Sequence, residues 1–150
     1  MDEFSGIMLV EDNPNDIELI LAALSENRPV YDIYVARDGE EALDYLLRRG
    51  AHESRPMKNP RVVILDLKLP KVNGLEVLER IKTDPDLKTT PVVVLTSSRE
   101  ERDLLRSYDL GTNAYVVKPM SFKEFIDAVE IVGLFWTVIN ETPDAMEQRR

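Results

Sequence analysis

Cysteine is absent from the 150 residues, which excludes a disulfide framework and any thiolate-bound metal. Histidine occurs once, as His52, in a polar segment where it is expected to be an ordinary surface residue. A basic excess is missing too. Lys and Arg number 19 against 28 Asp and Glu, a formal charge of −9 that disfavours non-specific contact with nucleic acid or an anionic membrane surface. Long apolar runs are also lacking: the longest uncharged apolar stretch, Ile131 to Ile139, falls well short of the roughly 18 to 20 residues that a spanning helix needs. Met1-Asp2-Glu3-Phe4 does not carry the basic and then apolar pattern of a secretory leader, and no repeat or low-complexity tract is visible. The expectation is a soluble, cytoplasmic protein with no nucleic-acid and no membrane partner.

What the chain does have is apolar content, 43%, enough for the core of one domain at this length. Four-residue runs of Val, Ile and Leu recur: Ile7-Met8-Leu9-Val10, Val62-Val63-Ile64-Leu65 and Val92-Val93-Val94-Leu95, with Ala114-Tyr115-Val116-Val117 behind them. Continuous runs of this kind suit parallel strands buried on both faces. Asp32 to Ala36 is more polar, as befits an edge strand. Between the runs, apolar positions switch to helical spacing. Ile17, Ile20, Leu21 and Leu24 form one stripe; Ala42, Leu43, Leu46 and Leu47 a second; Leu75, Val77, Leu78 and Ile81 a third. A fourth helix is expected within Arg99 to Leu110, stopped by Gly111, and a fifth from Ser121-Phe122-Lys123-Glu124, a capping-box pattern. Gly50 to Pro60 reads as an exposed polar loop. Strand and helix alternate five times, so the fold class is α/β, three layers, doubly wound (βα)5. Residues 1–141 make one domain and 142–150 a C-terminal tail too short for another.

In open α/β sheets ligands bind beyond the carboxyl ends of the strands. Those ends carry Glu11-Asp12, Asp66, Thr96 and Lys118: acids, a hydroxyl and a cation. Two carboxylates about 4 Å apart repel by roughly 4 kcal/mol at an effective dielectric of 20. Three acids against Lys118 leave about −2, which one divalent ion neutralises, and ligands that are all oxygen favour a hard ion such as Mg²⁺. The set outlines a phosphoryl-transfer site in which Asp66 attacks phosphorus while Lys118 and Thr96 hold phosphoryl oxygens.

Taken in order, Val10-Glu11-Asp12-Asn13, Leu65-Asp66-Leu67-Lys68-Leu69-Pro70 with Asn73-Gly74, Leu95-Thr96-Ser97 and Tyr115-Val116-Val117-Lys118-Pro119 resemble the CheY-like response-regulator receivers of two-component signalling. The likeness runs from about Ile7 to Asn140. It implies a flavodoxin-like five-stranded parallel sheet of order 2-1-3-4-5, with Asp66 as phosphoacceptor. It also implies Asp12, Asp66 and the Lys68 carbonyl as Mg²⁺ ligands, with Glu11 helping through water, and Thr96 with Tyr115 as a switch pair reshaping the face of helix 4, strand 5 and helix 5. Lys118-Pro119 becomes a candidate cis peptide. The chain is further similar to the stand-alone receivers that serve phytochrome-type histidine kinases, through Glu11-Asp12-Asn13-Pro14-Asn15-Asp16, the polar loop before strand 3 and a long helix 5 carrying Phe135-Trp136. A sensor histidine kinase, of phytochrome type, is the implied partner. The chain would then be a phosphoacceptor rather than an enzyme acting on another substrate.

Ile131 to Ile139 carries no charge, and at 100° per residue its apolar side chains cover every face of a helix. Ile131, Leu134, Phe135 and Val138 are therefore expected to form a homodimer surface, with packing under a loop or the tail as the plainer alternative. Plainer readings exist elsewhere as well. Glu11 and Asp12 suit a helix N-terminus, Thr96 suits a helix cap, Tyr115 a fixed strand position, and Lys68 a solvated side chain.

Three other functions compete. A haloacid-dehalogenase-like phosphohydrolase would carry another acid two residues after Asp66, where Lys68 stands, and a cap domain. A flavodoxin-like cofactor binder would need a Ser/Thr/Gly-rich phosphate loop where Glu11-Asp12-Asn13-Pro14 stands. A phosphorylation-independent adaptor on the receiver fold is the remaining alternative.

Overall fold

The computed structural model describes residues 6–25, 32–55 and 58–141. The expected tail, 142–150, and the first five residues lie outside them. Five strands alternate with five helices: β1 Ile7–Val10, α1 Pro14–Ser25, β2 Ile33–Ala36, α2 Gly39–Leu46, β3 Val62–Leu65, α3 Gly74–Thr83, β4 Val92–Thr96, α4 Glu101–Asp109, β5 Ala114–Val117 and α5 Phe122–Leu134. A short 3₁₀ turn, Gly50–His52, follows α2, and α5 runs on into a π-helical turn, Phe135–Ile139.

All neighbouring strands are parallel, in the order β2-β1-β3-β4-β5, the flavodoxin-like order. Registers align the carboxyl ends: Val10 lies opposite Leu65, Leu65 opposite Val94 and Thr96 opposite Val117. β1, β3 and β4 are buried throughout, whereas β2 and β5 are largely half-buried edges.

Because alternate strand residues point to opposite faces, the sheet feeds two cores. Met8, Val10, Val63 and Leu65 pack under α2 and α3 with Ala42, Leu46, Val77 and Ile81; Ile7, Leu9, Ile64 and Val93 pack under α1 and α5 with Ile17, Ile20, Leu24, Phe125 and Val129. Each large side chain so buried contributes about 1.5–3 kcal/mol. α4 differs: Ser107 is its sole buried residue, and Leu105 and Tyr108 are exposed.

Local signals explain the helix starts. Pro14 begins α1 behind Asn13, whose side chain accepts from the Asn15 and Asp16 amides. Asp38 caps α2. The reciprocal capping box forms at Asn73 and Glu76; at Ser121 the hydroxyl accepts from the Glu124 amide, and among the described residues no return bond from Glu124 completes the box expected there. Gly111, at φ +100°, ends α4 as anticipated. Every peptide bond among the described residues is trans, so the candidate cis bond at Lys118-Pro119 is corrected to trans.

Candidate functional site

The strand registers gather the predicted residues at one edge. Glu11 leaves β1 and Asp66 leaves β3 at the same level, tied by the Asp66 amide donating to the Val10 carbonyl at 3.0 Å. Lys118 leaves β5 beside Thr96, and its amide donates to the Thr96 carbonyl at 2.8 Å. Carboxylate oxygens of Glu11, Asp12 and Asp66 lie within 4.8 Å of one another. Glu11 and Asp66 are buried and Asp12 is exposed at the mouth. Lys68 follows on the rim, its side chain exposed and its amide directed at Asp66 Oδ1, 3.4 Å away.

Lys118 threads its ammonium into this cluster. Nζ donates to Glu11 Oε1 at 2.9 Å, Asp16 Oδ2 at 2.7 Å and Asp66 Oδ2 at 3.1 Å. Burial works against the charge of Lys118, but the bonds to Asp16 and Glu11 and the negative Asp66 outweigh it, so the ammonium titrates above the ordinary lysine range. Burial, followed by the charge of Asp66, pushes the Glu11 carboxyl up to about 7, against the pull of Lys118. A carboxyl held up in this way by a neighbouring negative charge favours a second cation at the cluster. Carboxylates close enough to share an ion, with oxygen donors only, fit a hard divalent metal held by Glu11, Asp12 and Asp66.

Thr96 is fully buried, and its hydroxyl accepts from the Ser98 amide at 3.3 Å. Tyr115 is half-buried on the edge strand, and its phenol donates to the Ser98 carbonyl at 3.2 Å. The two predicted switch residues therefore meet on the backbone of one residue. Ser98 in turn donates its hydroxyl to Asp103 in the first turn of α4.

Matching against family models pairs residues 7–130 with the response regulator receiver domain. The chain belongs to that family. Among relatives of this receiver, response regulator Rcp1 of Synechocystis sp. (strain ATCC 27184 / PCC 6803 / Kazusa) is 40% identical over 130 residues, 87% of each chain. The solved Mn²⁺-bound form of Rcp1 matches with a TM-score of 0.86 at 39% identity, covering 91% of this receiver and 97% of that chain. The phosphorylated cyanobacterial phytochrome response regulator RcpA matches with a TM-score of 0.87 at 40% identity, covering 92% and 97%. The bacteriophytochrome response regulator AtBRR is 55% identical, with a TM-score of 0.73 over 93% of this receiver and 100% of its own chain. The receiver is thus related to phytochrome response regulators, a family whose members take phosphoryl groups from histidine kinases.

Two residues make contacts that no local sequence pattern marks, one at the receiver's site and one elsewhere. In the sequence Asp16 stands only as part of a motif, with nothing that pairs it with Lys118; its place in the first turn of the helix after β1 is the signal, since that turn faces the same edge. His52 is no plain surface residue. Its Nε2 lies 3.0 Å from the Tyr34 hydroxyl, and its ring sits edge-on to Tyr34 and Tyr45. At the far end of α5, Ile131, Phe135, Val138 and Ile139 are exposed. Leu134 is half-buried, a correction to the expected outward set, because Gly133 and its neighbours press α5 onto Leu24 of α1. No described helix is long and apolar enough to cross a membrane.

Proposed function

We propose that this protein is a single-domain response regulator in which Asp66 accepts a phosphoryl group from the phosphohistidine of a sensor kinase, of phytochrome type. A carboxylate oxygen of Asp66 bonds to phosphorus as the phosphorus–nitrogen bond breaks, and the electron pair returns to the imidazole. Asp12, Asp66 and the Lys68 carbonyl would hold Mg²⁺ directly and Glu11 would hold it through water. When bound, the ion supplies two positive charges to offset the acids and an anchor for a phosphoryl oxygen.

The protein's own residues carry the rest. Asp66, 7% exposed, meets the donor at the carboxyl edge of the sheet, beside the exposed Asp12. Lys118 turns one of its three N–H bonds from Asp66 to a phosphoryl oxygen, and the Thr96 hydroxyl takes another oxygen. Moving toward the phosphoryl group draws the Thr96 hydroxyl off its bond from the Ser98 amide, which loosens the segment that Tyr115 grips, and the face of α4, β5 and α5 changes. Signalling passes through that face, and a homodimer forms along the outer side of α5 by Ile131, Phe135 and Val138, with Leu134 beneath. The domain is residues 1–141 with a tail at 142–150; the protein acts in the cytoplasm and transforms no other substrate.

The observation that carries this reading is Lys118 bridging Asp66 and Glu11 at the carboxyl edge of the sheet. The test is intact-protein mass after incubation with acetyl phosphate, with and without Mg²⁺, for the wild type and Asp66→Asn. One Mg²⁺-dependent phosphoryl adduct, lost in the mutant, is expected. An adduct that survives Asp66→Asn would reassign the acceptor, and none from either acetyl phosphate or a phytochrome-type kinase would favour the phosphorylation-independent adaptor.

A further inference from the structure

Lys118 spends all three ammonium donors on carboxylates. Two of the acceptors, Glu11 and Asp66, belong to the set whose oxygens converge for a metal, and the third, Asp16, does not. Asp16 makes the shortest of the three contacts, 2.7 Å, against 2.9 Å for Glu11 and 3.1 Å for Asp66. Its side chain also stands nearer solvent, 23% exposed against 2% and 8%. Its backbone is fixed at the start of α1 by the Asn13 side chain.

The ammonium pairs with the acids of the cluster as their cation. A divalent ion arriving among Glu11, Asp12 and Asp66 competes with Lys118 for two of its three partners and repels it. We infer that Asp16 is a positioning residue that retains Lys118 at the rim as metal enters. It frees the metal carboxylates without releasing the lysine to solvent, and leaves a donor aimed at the phosphoryl position. This inference rests on the proposed metal-assisted phosphorylation of Asp66. Asp16 touches neither metal nor phosphorus; it acts through Lys118.

Two effects of removing Asp16 have to be separated, since deleting any negative charge near the cluster weakens cation binding somewhat. Glu18 provides the control: it is exposed on the same helix and its side chain has no polar partner among the described residues, so Glu18→Gln reports the plain charge loss. A second comparison removes the lysine, because in a Lys118→Met background Asp16 has no ammonium to retain. The experiment is isothermal titration calorimetry of Mg²⁺ into the wild type, Asp16→Asn, Glu18→Gln, Lys118→Met and the Asp16→Asn/Lys118→Met double variant.

The expected result is that Asp16→Asn weakens Mg²⁺ binding about fivefold more than Glu18→Gln, and that this excess disappears in the Lys118→Met background. Equal losses in Asp16→Asn and Glu18→Gln would overturn the inference while leaving the metal site standing. So would an excess that persists without Lys118. A wild type that binds no Mg²⁺ would remove the metal reading itself and the inference with it. Asp16→Ser, which also suits the first turn of a helix, repeats the comparison should Asp16→Asn fold poorly.

Discussion

Tyr115 and Ser98 are joined across the edge of the sheet by a phenol-to-carbonyl hydrogen bond of 3.2 Å, while the amide of the same Ser98 bonds the buried Thr96 hydroxyl. One peptide segment therefore reports on both side chains, and a shift of Thr96 toward Asp66 must be felt by Tyr115. Burial raises the Tyr115 phenol above its ordinary range, so at neutral pH it is the protonated donor that this bond requires. Tyr115→Phe is expected to cost about 1 kcal/mol in urea unfolding, the usual net value of one such bond. Acetyl phosphate labelling of Asp66 should continue, because the hydrogen bond of the phenol goes to the Ser98 carbonyl and not to Asp66 or Lys118. An unchanged stability would mean that the bond contributes nothing to the resting arrangement.

Gly74 begins α3 against the end of β3. A Cβ built there would overlap the Asp66 carbonyl oxygen and the Leu67 backbone, and the Gly74 amide already donates to the Leu67 carbonyl at 2.8 Å. Neither neighbour is a flexible side chain that can swing away. Gly74→Ala should therefore cost about 2 kcal/mol or more in chemical denaturation and slow phosphorylation of Asp66 by displacing its backbone. A variant as stable as the wild type would show that α3 can slide outward at little cost.

Much of this arrangement is legible in the sequence, for a definite reason. Four-residue Val/Ile/Leu runs are unambiguous when strands are buried on both faces, so β1, β3 and β4 could be placed, and with them the edge where Glu11, Asp12, Asp66, Thr96 and Lys118 meet. Contacts between distant segments are another matter. Lys118 and Asp16 are 102 residues apart, and no local pattern pairs them. His52 looked solvated because its polar neighbours hide the turn that folds it back onto Tyr34 and Tyr45. Leu134 looked exposed because an all-apolar stretch has no polar residues to mark its outer side. Asn73 and Glu76 make the box that Ser121 and Glu124 only half make, since side-chain geometry and not residue type decides the return bond.

The Tyr34 cluster predicts how stability responds to alkali. The Tyr34 hydroxyl donates to Glu41 at 2.7 Å, its ring stacks on Tyr45 at 3.9 Å, and Arg55 lies over the Tyr45 ring. Burial first, then the bond to Glu41, raises the Tyr34 phenol well above the ordinary value near 10. A folded state that holds this proton more tightly than the unfolded chain is favoured below pH 10 and loses that advantage as pH rises beyond it. Unfolding free energy should thus fall from about pH 10 upward, and Tyr34→Phe should flatten the decline. Denaturant titrations at several alkaline pH values test this; equal slopes in both proteins would remove Tyr34 as the cause.

The outer side of α5 carries an exposed apolar stripe. Ile131 and Val138 are 67% and 58% exposed on either side of Phe135, and positions 131, 135 and 138 follow the spacing of one helical face. Trp136 and Val132 turn the other way, into the core beneath α1. Leaving such a stripe in water is unfavourable, and a second copy of the same stripe would cover it by two-fold symmetry. A charge at Leu134 would confuse the test, because that side chain is half-buried and its loss would also weaken the fold. Val138→Glu avoids the difficulty: it should leave unfolding free energy within about 0.5 kcal/mol of the wild type while shifting the mass in light scattering from dimer to monomer. A mass that stays dimeric would move the interface away from this face, and a wild type that is already monomeric would end the case for self-association through α5.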